Sequence, residues 1–249
     1  MHALFVFAHQ DDEIAAAARI GHLVRAAATI TCVYLTNGEG RGAPSAVRDE
    51  ESRRVLARLG VDLARVHFAG SRERIPDGAL VEHLDRALAL LESCVTEHVD
   101  EVWCLAWEGG HQDHDASHLV AVAFASRRGL LARTFELPLY RRHRLLTFQT
   151  LAPLRIGKPW TARPIGLGEA LRILALCRFY PSQRRSWLGL LPTAILRLLT
   201  ERCEWTRVVD VTRLARKPHE GLLLYEKRFG VPWPEFEKHA QRFMECGDG

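Results

Sequence analysis

In the first half of this 249-residue chain, short apolar runs alternate with stretches of helical periodicity, and that alternation restricts the fold more than any other feature. Residues 3–7, Ala-Leu-Phe-Val-Phe, read as a buried strand, and the alanine-rich 14–25 as the helix after it. Residues 29–36 are β-branched and apolar, which predicts a second strand. A helix over 48–59 puts Val55, Leu56 and Leu59 at helical spacing, with Gly60 as its C-cap. Residues 66–70 predict a short third strand, and 80–98 a helix with Leu84, Leu88, Leu91 and Val95 on one stripe. A strand over 101–107 and a helix over 116–127 complete the series. Such alternation predicts an α/β fold, a Rossmann-like, mostly parallel sheet with helices on both faces. Right-handed crossovers place the turns after its strands on one rim, where ligands bind.

Beyond residue 130 the pattern weakens. Residues 133–140 suggest a further strand, 167–179 a helix and 233–243 a closing helix, while 208–211 could open the last structured unit. The apolar 187–199 is interrupted by Pro192 and is too short to span a bilayer. No linker divides the chain, so the expectation is one domain over 1–249: a Rossmann-like core over 1–130 and a C-terminal extension over 131–249 that shapes the substrate pocket. With 34 basic against 30 acidic residues, the net charge of +4 gives no reason to expect a nucleic-acid partner. The arginines do cluster at 141–144 and 184–185, which suits an anionic ligand or surface. The six cysteines form no Cys-x-x-Cys pair, so buried free thiols in a reducing compartment are expected rather than a disulfide framework. With no basic leader ahead of the first strand, the expected location is cytoplasmic.

The turns carry the chemistry. Residues 8–13, Ala-His-Gln-Asp-Asp-Glu, put one imidazole and three carboxylates between a strand and a helix, which is costly to build without a cation. The turn at 108–115 holds His111-Gln112-Asp113-His114, and the turn at 37–44 is rich in glycine. Histidine nitrogen and carboxylate oxygen suit zinc, and a catalytic zinc keeps three protein ligands and one open position. Two such turns in the same strand–turn–helix context are a far stronger signal than either alone.

Ala8-His9-Gln10-Asp11-Asp12-Glu13 resembles the Ala-His-Pro-Asp-Asp-Glu motif of the PIG-L/LmbE-like zinc-dependent N-deacetylases, and His111-Gln112-Asp113-His114 resembles that family's His-Pro-Asp-His. Thr36-Asn37-Gly38-Glu39-Gly40, Arg48-x-x-Glu51 and Tyr180-x-Ser182-Gln183 are similar to further family segments. The resemblance implies His9, Asp12 and His114 as ligands of Zn²⁺, or of another divalent ion such as Fe²⁺. It implies Asp11 as general base, His111 as the group that polarises the acyl oxygen or protonates the leaving amine, and Asp113 as its orienter. Arg48 matches an arginine associated with the sugar. Gln10 and Gln112 stand where the family has proline, and neither is a ligand.

Plainer readings compete at each position. Asp11, Asp12 and Glu13 could merely decorate a helix N-terminus, but that leaves His9 and the second turn unexplained. Asp113 could N-cap the next helix, and Arg48 could be an exposed charge beside Glu51. His114 and His118 could form a zinc helix with Asp115 as base, a rival that leaves the first turn unused. The expected activity is hydrolysis of the N-acetyl amide of an amino sugar or a GlcNAc-containing glycoconjugate. Two classes stay open beside it: a related amidase on a thiol-conjugate, antibiotic-precursor or lipid-linked sugar, and a non-catalytic sugar- or nucleotide-binding module. Peripheral membrane contact through 187–199 with Arg184 and Arg185 also stays open.

Overall fold

The protein is described by a computed structural model over residues 1–40, 42–142 and 148–246; Arg144 of the expected arginine cluster and Arg41 of the glycine-rich loop lie outside the described residues. The elements of the first half run β1 (His2–Phe7), α1 (Glu13–Arg25), β2 (Thr29–Tyr34), α2 (Ser45–Leu59), β3 (Val66–Phe68), α3 (Ala69–Glu73), α4 (Leu84–Cys94), β4 (Glu101–Leu105) and α5 (Gln112–Arg127). The second half adds β5 (Thr134–Leu137), β6 (Tyr140–Arg142), β7 (Phe148–Thr150), β8 (Thr161–Pro164), α6 (Leu167–Leu176), α7 (Arg184–Thr200), β9 (Cys203–Val208), α8 (Leu224–Arg228) and α9 (Trp233–Cys246).

Seven strands form one sheet in the order β3-β2-β1-β4-β5-β9-β8, parallel through β5 and antiparallel at β9 and β8. A separate antiparallel ribbon joins β6 to β7. The near-continuous apolar sequence of β1 follows from its place between β2 and β4, with both faces covered. Leu4 and Val6 pack on one face with α4 and α5, while Ala3, Phe5 and Phe7 pack on the other with Ile20, Leu23 and Leu56. Each of the leucine, valine, isoleucine and phenylalanine side chains contributes about 1.5–3 kcal/mol by leaving water. The expected mostly parallel α/β sheet is therefore the observed one.

Several boundaries differ from the expected ones for local reasons. Helix α5 starts at Gln112 rather than 116, because the His111 ring nitrogen Nδ1 accepts the Asp113 N–H at 3.1 Å and caps it. Asp113 and His114 thus occupy the first helical turn. The stretch 80–98 opens as a 3-10 turn over Leu80–His83 and ends at Cys94. The interrupted apolar stretch is helix α7 with Pro192 inside it. Leu188, whose carbonyl loses its partner to Pro192, is 76% exposed, so water can serve that oxygen. The segment 208–211 does not open a new unit; Val208 ends β9. Strand β9 hides from apolar patterning because it carries Glu204 and Arg207 into the interior, where they pair with Arg163 and Glu136. Cys32, Cys94, Cys104, Cys177 and Cys203 are free. Among the described residues no helix is long and apolar enough to cross a membrane.

Candidate metal and active site

The strand order reverses between β1 and β4, so the turns that follow them open onto one crevice. There His9 Nδ1 lies 3.3 Å from His114 Nε2, Asp12 Oδ1 lies 3.1 Å from His114 Nε2, and Asp12 Oδ2 lies 3.8 Å from His9 Nδ1. All three side chains are buried, and one ligand atom from each lies within 4.8 Å of the others. Asp12 is locked in place, since its Oδ2 accepts the N–H groups of Ala8 and His9 at 3.0 and 2.8 Å. The donor set fits a divalent ion. Zinc bonds of about 2.0–2.2 Å in a tetrahedron put neighbouring ligand atoms about 3.3–3.6 Å apart.

The Asp113 carboxylate does not orient His111, as the resemblance implied it would, nor does it cap α5; only the Asp113 backbone N–H reaches that ring. Its Oδ2 lies 3.0 Å from His9 Nε2 and accepts the Gly78 N–H at 2.6 Å, while Oδ1 accepts the Leu80 N–H at 3.0 Å. A carboxylate on the far nitrogen of His9 turns Nδ1 toward the centre of the cluster, as around ligating histidines in general. Asp77, which no motif in the sequence marks, shares this role at 3.2 Å from His9 Nε2. Burial would depress the His9 imidazole, but Asp77, Asp113 and Asp12 outweigh it and hold it well above its ordinary value. Three carboxylates around one imidazole make a site that attracts positive charge. Against burial, His114 and His9 hold Asp12 low, and His9, His111 and Arg48 hold Asp77 far below the usual range.

His111 sits edge-on to His9, with ring centroids 4.7 Å apart, and against the Phe229 ring at 4.5 Å. Burial, then the neighbouring His9, pushes its value down to about 3, so it stays a neutral imidazole. With Nδ1 accepting a backbone N–H, its proton belongs on Nε2.

Asp11 has φ +114°, a conformation non-glycine residues adopt only when their surroundings enforce it. Its N–H donates to Glu13 Oε2 at 3.0 Å, and Arg48 clamps the turn by donating to the Gln10 carbonyl and, at 3.2 Å, to Asp11 Oδ1. Arg48 also donates to the Gly38 carbonyl and lies 3.6 Å from Asp77. It is 3% exposed, which removes the reading of Arg48 as a solvated surface charge. Burial pushes Asp11 up to about 7, against the pull of Arg48. Glu13 accepts from the Tyr180 hydroxyl, and Tyr180 lies 3.3 Å from Ser52 Oγ, so the family-like Tyr180 segment props the first turn from beneath.

The two glutamines serve the loops. Gln10 donates to Asp49 at 2.6 Å and to Ser71 at 3.1 Å, and Gln112 donates to the Gly78 carbonyl at 3.2 Å. Gly38 has φ +66°, and a Cβ there would stand 2.1 Å from Gln10 Oε1, so glycine is required above that amide. The rival zinc helix does not form. His118 Nδ1 turns to the Leu105 carbonyl at 2.7 Å, and Asp115 accepts the N–H groups of Glu108 and Gly109, both at 3.2 Å.

Above this polar floor the cleft, of about 210 Å³, is walled by apolar side chains of α6, α7 and the ribbon, among them Tyr140, Leu151, Ile173, Trp187, Leu190 and Leu191. None of these is marked in the sequence by anything beyond hydrophobicity.

The sequence profile described as "PIG-L: GlcNAc-PI de-N-acetylase" matches residues 4–125. No curated protein sequence shows a significant match to this chain. Among solved structures, a deacetylase of the teicoplanin biosynthesis pathway aligns with TM-score 0.64 at 14% identity, over 83% of this chain and 96% of its own. The deacetylase of the antimicrobial A40926 pseudoaglycone gives 0.61 at 17%, over 84% and 98%. N,N'-diacetylchitobiose deacetylase from Pyrococcus horikoshii gives 0.57 at 18%, over 84% and 83%. At these identities the likeness is one of fold. Over residues 4–125, the segment that holds both histidine turns, the chain matches the PIG-L family model.

Proposed function

We propose that the protein is a divalent-metal-dependent N-deacetylase that hydrolyses the acetamide of an N-acetylated amino sugar or glycoconjugate, with zinc as the metal. The observation that carries this reading is the meeting of His9, Asp12 and His114 at the switch point of the sheet, with Asp11 beside them. A cation held by these three would polarise the amide carbonyl and lower the pKa of water. Asp11, raised to about 7, accepts the proton of the attacking water and later delivers it to the leaving amine. His111, neutral and protonated on Nε2, donates a hydrogen bond to the amide oxygen as charge builds there. Arg48 fixes the strained Asp11 turn and, as part of the cleft lining, faces a substrate oxygen beside it. Asp77 stands at the same edge, able to accept from a sugar hydroxyl.

The apolar upper wall favours a second, narrower version, in which the amino sugar carries an apolar aglycone that lies against Trp187, Leu190 and Leu191. We assign that wall to the C-terminal extension of a single domain. The deciding experiment incubates zinc-loaded protein with a panel of N-acetylhexosamine conjugates, with polar and apolar aglycones, and measures amine release. Release from at least one conjugate is expected. Full metal occupancy with no release from any of them would contradict the reading.

A further inference from the structure

The arginine at 141 takes no part in the chemistry above, yet it sits one residue from the active cleft. The β6–β7 ribbon explains how. Tyr140 and Thr150 are cross-strand partners, and both line the cleft. The next pair, Arg141 and Gln149, therefore points to the opposite side. There it lines a second cavity of about 660 Å³, together with Arg155, Arg197, Glu201 and Trp205.

Three guanidinium groups face one carboxylate in this cavity, and Glu108 acts on Arg141 from behind, which leaves the charge of Arg155 over. Arg197 pairs with Glu201 at 2.9 Å. Arg141 donates to the Ala152 carbonyl at 2.6 Å and to Gln149 Oε1 at 2.9 Å, both neutral acceptors. Arg155 is exposed and has no ion pair or hydrogen bond among the described residues. In addition, the Nε of Arg197 and the indole nitrogen of Trp205 are buried with no acceptor among the described residues. Unspent donors in number, with excess positive charge, call for an oxyanion. The planar fork of arginine matches the oxygens of a phosphate.

We propose that this cavity is a second binding site, for a phosphate group, on the reverse face of the ribbon that walls the active cleft. The phosphate comes either on a soluble metabolite or on a lipid headgroup. The second source has a physical basis in α7, which carries Leu196 and Leu199, 60% and 38% exposed, beside Arg197.

The test titrates inorganic phosphate into the metal-loaded protein and follows the melting temperature and tryptophan fluorescence. A saturable rise that chloride at equal ionic strength does not produce is expected. Arg155→Ala and Arg155→Glu replace an exposed side chain with no partner among the described residues and should leave folding intact. Each should weaken phosphate binding by about tenfold or more, the low end for a hydrogen bond to a charged group. No phosphate-specific shift in the parent protein would overturn the site. So would an undiminished shift in both variants, because that phosphate would be in the active cleft. Co-sedimentation with phosphatidylglycerol but not phosphatidylcholine vesicles, lost in Arg155→Glu, would assign the phosphate to lipid. Saturable phosphate binding without co-sedimentation would assign it to a soluble ligand.

Discussion

Asp113 shows how one side chain can be legible in type and misread in role. The family resemblance implied a carboxylate that orients the neighbouring imidazole, but the helix begins at Gln112 and swings the Asp113 carboxylate onto His9, 3.0 Å away. Removing that carboxylate should loosen the cation rather than the chemistry. Asp113→Ala is expected to lower zinc affinity about 10–100-fold, measured by competition with a chromogenic chelator, with most of kcat recovered at saturating zinc. Unchanged affinity would mean that Asp113 does not position His9. Asp11 should behave in the opposite way. Asp11→Asn keeps the clamp from Arg48 in reach but cannot take a proton, so kcat should fall about 10²–10⁴-fold with metal content unchanged. Elemental analysis beside turnover separates the two cases.

At the scale of elements, the site depends on strands that end where the strand order reverses and on glycines that let loops close over them. The parallel core was readable because strands β1, β2 and β4 are apolar on both faces and each is followed by a helix pattern. The two histidine turns were readable for the same reason, each lying between a strand and a helix. Asp77 was not, because Pro76-Asp77-Gly78 reads locally as an ordinary turn and reaches His9 only through the tertiary fold. Strands β8 and β9 escaped because β9 buries Glu204 and Arg207, and β8 is an exposed edge that ends in Pro164. The loop after β4 gives an element-scale prediction. A Cβ at Gly110 would stand 2.0 Å from the Tyr140 carbonyl oxygen, with no flexible side chain to give way. Gly110→Ala should therefore cost about 1–3 kcal/mol in urea unfolding and displace the ribbon that walls the cleft. A variant as stable as the parent would show that this contact yields freely.

For the whole molecule, a cation held by His9, Asp12 and His114 would join two segments about a hundred residues apart in sequence, and so would tie β1 to α5. Binding that only the folded chain can achieve adds to stability by mass action. Zinc at a hundred times its dissociation constant should add about 2.7 kcal/mol. In a chain of this length that corresponds to a rise in Tm of roughly 5–10 °C over the chelator-treated protein. Equal melting temperatures with and without zinc would separate the cluster from any metal. The most direct measurement is an anomalous difference map collected at the zinc edge from crystals grown with the ion. The predicted result is one strong peak about 2.0–2.2 Å from His9 Nδ1, Asp12 Oδ1 and His114 Nε2. A map with no peak there, or with its zinc bound by other residues, would contradict the assignment of a metal site to the two turns.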